Sequence, residues 1–352
     1  MTGATGLTAS TTTRTTSIER RAQLSDPIAR FERMVEIRDF EERVNGLFAD
    51  GTIHGTTHLC NGQEALDVGL AVSLRPTDIV TATYRGHGVA LALGMDPAVV
   101  MGEIMGKAAG CTGGVGGSMH LCDMSVGLLP TFAIVGAGLP VAAGAALAFQ
   151  SRGQDGVAVA VFGDGASNIG AFHESLNLAA VWNLPIVFLL DNNVYGEYTR
   201  INLTTPIEDL YLRAASYGMP AQVVDGMDVN AVEAALGTAV ERARTGGGPT
   251  LIEAKTYRFA GHSRADTAPY RPKGEFEAWQ QRDPLVVTRK ALVAAGLADD
   301  AELDRVDAAV RARLGDMVER VSAWPEPTEA AMFDNIWTPS APLVPPAPQG
   351  AN

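Results

Sequence analysis

Cysteine is scarce in this chain. Cys60, Cys111 and Cys122 are the three among 352 residues, an odd number with no CxxC pair. Neither a disulfide framework nor a zinc ribbon is indicated, and a reducing compartment, the cytoplasm, is expected. Basic charge is also short. Lys and Arg number 27 against 40 Asp and Glu, for a formal net charge of -13. Nucleic acid and anionic membranes both demand a basic face, so neither is an expected partner, and any bound phosphate must be handled locally. No uninterrupted apolar run reaches membrane-spanning length, although 46% of the residues are hydrophobic, enough for a large core. Internal repeats are not apparent.

Two catalytic motifs are incomplete. His173-Glu174-Ser175-Leu176-Asn177 begins like a zinc-protease helix but lacks the second histidine one turn on. The segment 102–107 is one residue short of a phosphate-binding P-loop and is followed by Ala108 rather than Ser or Thr.

The ends differ from the middle. Residues 1–20 are expected to be a disordered arm, since 1–17 are rich in Thr, Ser and Gly without apolar periodicity. With Arg14, Arg20 and Arg21 and few acids, a cleaved transit peptide is the alternative, which would place the protein in an organellar matrix. Residues 339–352 are rich in Pro and Ala and are expected to fray as a tail. No long linker divides the remainder, so 21–338 reads as one α/β domain. In 300–324, Leu303, Val306, Val310, Leu314, Val318 and Val321 recur at helical spacing and predict a surface helix on that body.

The most informative stretch is a βαβ unit. The apolar run 157–162 reads as a buried parallel strand, 168–183 as its crossover helix and 185–190 as the next strand. Gly163-Asp164-Gly165 closes the first run and Asp191-Asn192-Asn193 the second. Both polar clusters thus stand at strand carboxyl ends, where open α/β sheets bind ligands. A dinucleotide site competes for the unit, with Asp191 as its ribose acid. However, Asn168 replaces the third glycine of that fingerprint, and Asp164 sets a carboxylate where a pyrophosphate would lie. Two anions so close need a cation between them. Mg2+ bridges a carboxylate to phosphate oxygens, with Asp164, the amide oxygen of Asn193 and the backbone carbonyl of Tyr195 as the expected metal ligands.

At these residues the chain resembles thiamin diphosphate enzymes, and its surroundings resemble the alpha subunit of the decarboxylating component of 2-oxo acid dehydrogenase complexes, of the pyruvate or acetoin dehydrogenase type. The resemblance extends through His58-Leu59-Cys60-Asn61-Gly62-Gln63-Glu64-Ala65, Tyr84-Arg85-Gly86-His87-Gly88, Gly113-Gly114-Val115-Gly116-Gly117-Ser118-Met119-His120, Val224-Asp225-Gly226-Met227-Asp228, Thr256-Tyr257-Arg258 and Gly261-His262-Ser263, in the family's order.

That resemblance implies a thiamin diphosphate-binding fold, a mostly parallel sheet with helices on both faces. It implies that Tyr84 and Arg85 touch the diphosphate, that His262 lies beside the diphosphate and the reacting centre, that Gly165 and Ala166 bind the cofactor, and that Ala133 and Val135 meet the aminopyrimidine ring, Ala133 standing where the family usually has glycine. Taken alone, an Arg at a strand end is commonly just salt-bridged, and a histidine in a turn commonly just capped. By resemblance His262, His87 and His58 are the candidate catalytic histidines.

Thiamin chemistry also needs a carboxylic acid beside the aminopyrimidine nitrogen. In the family that glutamate comes from another domain, and this chain holds only the diphosphate half. A beta subunit is therefore implied, in an alpha2beta2 heterotetramer, with acyl transfer from a 2-oxo acid to a lipoyl-bearing acyltransferase. Thr56-Thr57 stands where pyruvate enzymes commonly carry a bulkier aromatic, which leaves pyruvate and acetoin both open as substrates. A non-catalytic regulatory subunit retaining the cofactor fold is the reading from a different class.

Overall fold

The computed structural model describes residues 11–333. Eight strands occur among them: β1 (Ile79–Thr83), β2 (Leu128–Phe132), β3 (Ala158–Gly163), β4 (Ile186–Asn192), β5 (Tyr195–Gly196), β6 (Thr199–Arg200), β7 (Ala221–Asp225) and β8 (Thr250–Lys255). Six form one sheet in the order β2-β1-β3-β4-β8-β7, and β5 and β6 form a small antiparallel hairpin. Every pairing in the large sheet is parallel.

Parallel strands covered on both faces read as continuous apolar runs, which is why 157–162 and 185–190 lack polar alternation. The period of two then splits each run between two cores. Val159, Val161, Val187, Leu189 and Ile252 join one, packed under helices that include Pro27–Ala49, Glu64–Val72, Pro97–Ile104 and Val229–Arg244. Ala158, Ala160, Phe162, Ile186, Phe188 and Leu190 join the other, under Gly138–Ser151 and Gly170–Val181. The crossover expected over 168–183 is shorter: a 3-10 turn Asp164–Asn168 precedes the helix Gly170–Val181.

The helix expected over 300–324 runs Asp300–Ser322, with Leu303, Val310, Leu314 and Val321 buried against the body. The N-terminal expectation needs correction for part of its length. Residues 11–20 are not a disordered arm but belong to a helix, Thr11–Ala22. Its polar composition hid it, because what holds it is tertiary: Arg20 pairs with the buried Glu36 at 2.7 Å, and the Ser17 carbonyl fits against Gly94, where a Cβ would come within 2.4 Å. Residues 1–10 and the tail at 339–352 lie outside the described residues.

The strand order locates the crevice. From β1 the chain moves outward to β2, then returns past β1 to β3 and continues the other way to β4. The β1/β3 boundary is therefore a topological switch point, the place where connections diverge and leave an opening beyond the strand carboxyl ends.

Candidate active site

A cavity of about 430 Å³ occupies that opening. Four strand ends build it: Tyr84 and Arg85 after β1, Ala133 to Val135 after β2, Asp164 to Ala166 after β3, and Asn193 and Tyr195 after β4. His58 and His262 line it from two long loops.

The inner end is an electrostatic problem awaiting a cation. Asp164 is 1% exposed and Asn193 8%, and Asp164 Oδ2 and Asn193 Oδ1 are both buried without any hydrogen-bond partner. Orphaned acceptors in a buried site cost about 1–3 kcal/mol each. Burial, and then the charge of Asp191, push the Asp164 carboxyl up to about 7. Burial also pushes Asp191 up to about 6, while its oxygens accept from Thr256 Oγ1 and the Gln63 amide. A hard divalent ion satisfies both orphaned oxygens and reverses the carboxylate repulsion, so this donor set fits Mg2+. Among the described residues no group of three His, Cys, Asp or Glu clusters for a metal.

Local backbone strain aims this end. Val194 follows Asn193 with φ 78, in the left-handed region that a β-branched residue rarely adopts. Its N–H donates to Asn192 Oδ1 and its carbonyl accepts from Ile201, so the strained turn is held from both sides. Tyr195 lines the cavity, and its hydroxyl donates to Glu275 at 3.0 Å and accepts from Arg200.

Above the carboxylates sit three rings. The His58 centroid lies 4.4 Å from Tyr84 and 5.0 Å from His262. Burial, and then the Arg85 charge, push the His58 imidazole down to about 3 and His262 to about 4, so both are neutral near pH 7. The His262 backbone is clamped, its N–H donating to Asp266 at 2.6 Å and its carbonyl accepting from Arg85 at 2.8 Å. Arg85 also donates to the Leu59 carbonyl at 2.6 Å, so one guanidinium locks both loops that carry the histidines.

His87 is placed elsewhere. Expected beside His262 and His58 as a candidate catalytic histidine, it is instead fully buried and outside the cavity lining, because it opens helix His87–Ala92 and its ring turns back to Glu41 and Ser118. Thr56 is exposed, and neither Thr56 nor Thr57 lines the cavity. Conversely, Asp191, Met119 and Glu197 do line it and were not expected there. Asp191 had a signal, its place at the end of a buried strand, but that signal pointed equally to a ribose.

The chain matches the dehydrogenase E1 component family over residues 32–330. It belongs to that family. It is 43% identical to the acetoin:2,6-dichlorophenolindophenol oxidoreductase alpha subunit of Cupriavidus necator over 308 residues, 87% of this chain and 92% of that one. It is 47% identical to the protein of the same name from Bacillus subtilis, over 72% of this chain and 77% of that one. Against the pyruvate dehydrogenase E1 alpha subunit of Rhizobium meliloti it is 39% identical, over 88% of this chain and 90% of that one. The chain is thus an E1 alpha subunit, a component of a thiamin diphosphate-dependent oxidoreductase with a lipoyl acceptor, on the parallel α/β fold described above. Its relatives' alpha naming goes with a beta subunit as partner. Among the described residues no helix is long and apolar enough to cross a membrane.

Proposed function

We propose that this E1 alpha subunit serves the oxidative decarboxylation of a pyruvate-class 2-oxo acid, with the acyl group passed to a lipoyl group on a separate acyltransferase. The observation that carries the reading is the pair of orphaned, buried oxygens on Asp164 and Asn193 at the closed end of a cavity whose mouth is apolar and exposed. Asp164, Asn193 and the Tyr195 carbonyl hold Mg2+. Tyr84, Arg85, Gly165 and Ala166 hold the diphosphate, while Ala133 and Val135 face the aminopyrimidine. When bound, thiamin diphosphate supplies the electron sink for breaking the bond beside the substrate carbonyl. Neutral His58 and His262 orient the substrate and exchange protons with it at their ring nitrogens. The acid that activates the aminopyrimidine comes from the beta subunit, in an alpha2beta2 assembly in the cytoplasm.

Acetoin is the second reading for the substrate. It is supported by the two relatives named for acetoin at 43% and 47% identity, against 39% for the Rhizobium pyruvate enzyme. Turnover of pyruvate and of acetoin, with an artificial electron acceptor, is the test. The isolated chain with thiamin diphosphate and Mg2+ is expected to be silent, and activity is expected only when a beta subunit is added. Robust turnover by the chain alone would sink the two-subunit reading, and the preferred substrate decides between pyruvate and acetoin.

A further inference from the structure

Behind the cavity wall lies a buried polar relay that the reaction described above does not use. His87 Nδ1 lies 2.9 Å from Glu41 Oε2, and His87 Nε2 lies 2.9 Å from Ser118 Oγ. Glu41 and His87 are both fully buried and Ser118 is 6% exposed. Acid, imidazole and hydroxyl in this order form the hydrolase arrangement. Yet Ser118 does not line the cavity, so no substrate carbonyl reaches it there.

What the relay does hold is chain. With its Nδ1 proton directed to the Glu41 carboxylate, His87 presents Nε2 to the Ser118 hydroxyl. Ser118 ends the glycine-rich loop, and the next residue, Met119, lines the cavity. The same loop also wraps a second carboxylate along its length. Glu103, fully buried, accepts main-chain N–H bonds from Thr112, Gly114, Gly116 and Gly117 at 2.8, 2.9, 2.7 and 3.0 Å. Glu41 also accepts the Cys60 N–H at 2.9 Å, two residues from His58. One glutamate therefore secures the His58 segment directly and the Met119 segment through His87.

We propose that Glu41, His87, Ser118 and Glu103 form a clamp that positions the cavity wall carrying His58 and Met119, with His87 a positioning residue rather than a substrate contact. The need for it is entropic. Four glycines in 112–117 give the loop far more freedom than other sequences, and charge-assisted bonds to buried carboxylates offset the cost of ordering it. The catalytic consequence rests on the thiamin diphosphate reading of the cavity, whereas the ordering of the loop does not.

The experiment is amide hydrogen exchange on the full chain, alone and with its partner, for Ser118→Ala, Ser118→Thr, Glu103→Gln and His87→Asn. Exchange across 112–119 is expected to quicken about tenfold in Ser118→Ala and Glu103→Gln, with 158–192 unchanged. Ser118→Thr, which keeps the hydroxyl, should restore protection. In the assembled enzyme Ser118→Ala should lower kcat about tenfold with KM nearly unchanged, and adding Ser118→Ala to His87→Asn should cost little more than His87→Asn alone. Unchanged loop exchange in Ser118→Ala overturns the clamp, as does a His87→Asn variant that raises KM while the loop stays protected. If the parent fails to bind thiamin diphosphate, the functional reading falls and the exchange data still decide the clamp. Should His87→Asn not fold, the Ser118 and Glu103 variants carry the test.

Discussion

At the inner end of the cavity Asp164 and Asn193 are 1% and 8% exposed, whereas at its mouth Ile134 and Val135 are 73% and 48% exposed. The inner end is polar, desolvated and missing only a cation and an anion to satisfy it. The mouth is apolar and faces water, and Val115, 76% exposed, adds to the uncovered apolar surface. Exposed apolar area costs about 25 cal/mol per Å² relative to burial, so contiguous patches of it mark surfaces that another molecule covers. Under the proposed function the difference is a division of labour, in which this chain would finish the diphosphate end by itself and leave the ring end for a partner.

The strongest way to break that comparison is at the inner end. Asp164→Asn should keep the fold while lowering the affinity for thiamin diphosphate with Mg2+ on the order of a hundredfold, since the anionic ligand is gone. Calorimetric titration measures this, and unchanged affinity removes Asp164 from the site. The same variant has a pH signature. In the metal-free fold the Asp164 carboxyl is raised from 3.8 to about 7. The fold then binds a proton between those values that the unfolded chain has released, so the parent loses stability as pH rises from 3.8 to about 7. Asp164→Asn escapes that loss. It should be the more stable of the two above that range and equal to the parent below it, by denaturant melts in chelator. Neutral His58 and His262 act in the opposite sense, costing stability as pH falls from 6.5 toward about 3 and about 4 respectively, but they are present in both proteins.

Next in size is His262→Ala. Acyl transfer to the lipoyl carrier should fall about a hundredfold while cofactor affinity changes only a few-fold. Single-turnover kinetics separate the two, and a full overall rate at saturating cofactor would make His262 a turn residue only. At the mouth, Ile134→Asp should weaken assembly with the partner about tenfold and leave the melting temperature of the chain alone unchanged. Assembly that tolerates the aspartate would show that the mouth is not covered. The smallest effect belongs to Val194→Gly, which trades backbone strain against chain entropy. Stability should stay within about 1 kcal/mol of the parent by chemical denaturation, with Mg2+ affinity reduced if the strain is what aims Asn193.

Which expected residues share one cavity was partly legible before any coordinates. Asp164, Asn193, Tyr84 and Arg85 stand at or beside strand ends, and buried parallel strands announce their own carboxyl ends by the change from apolar to polar residues, whereas His262 reaches the cavity from a loop. What was not legible is side-chain direction within a loop or a helix's first turn. His87 sits two residues from Arg85, yet the start of helix His87–Ala92 turns its ring into the core. The helix Thr11–Ala22 was missed for a related reason, since the groups that hold it, Glu36 and Gly94, are far along the chain.

The local pattern alone marked the two central strands, as continuous apolar runs ending in polar clusters, and the motifs carried the resemblance to the family that the chain belongs to. Only the tertiary structure decided the switch point between β1 and β3, the pairing of Arg85 with the backbones of 59 and 262, and the retreat of His87 behind the wall. Each of these depends on which distant segments meet, and packing settles that across the whole chain.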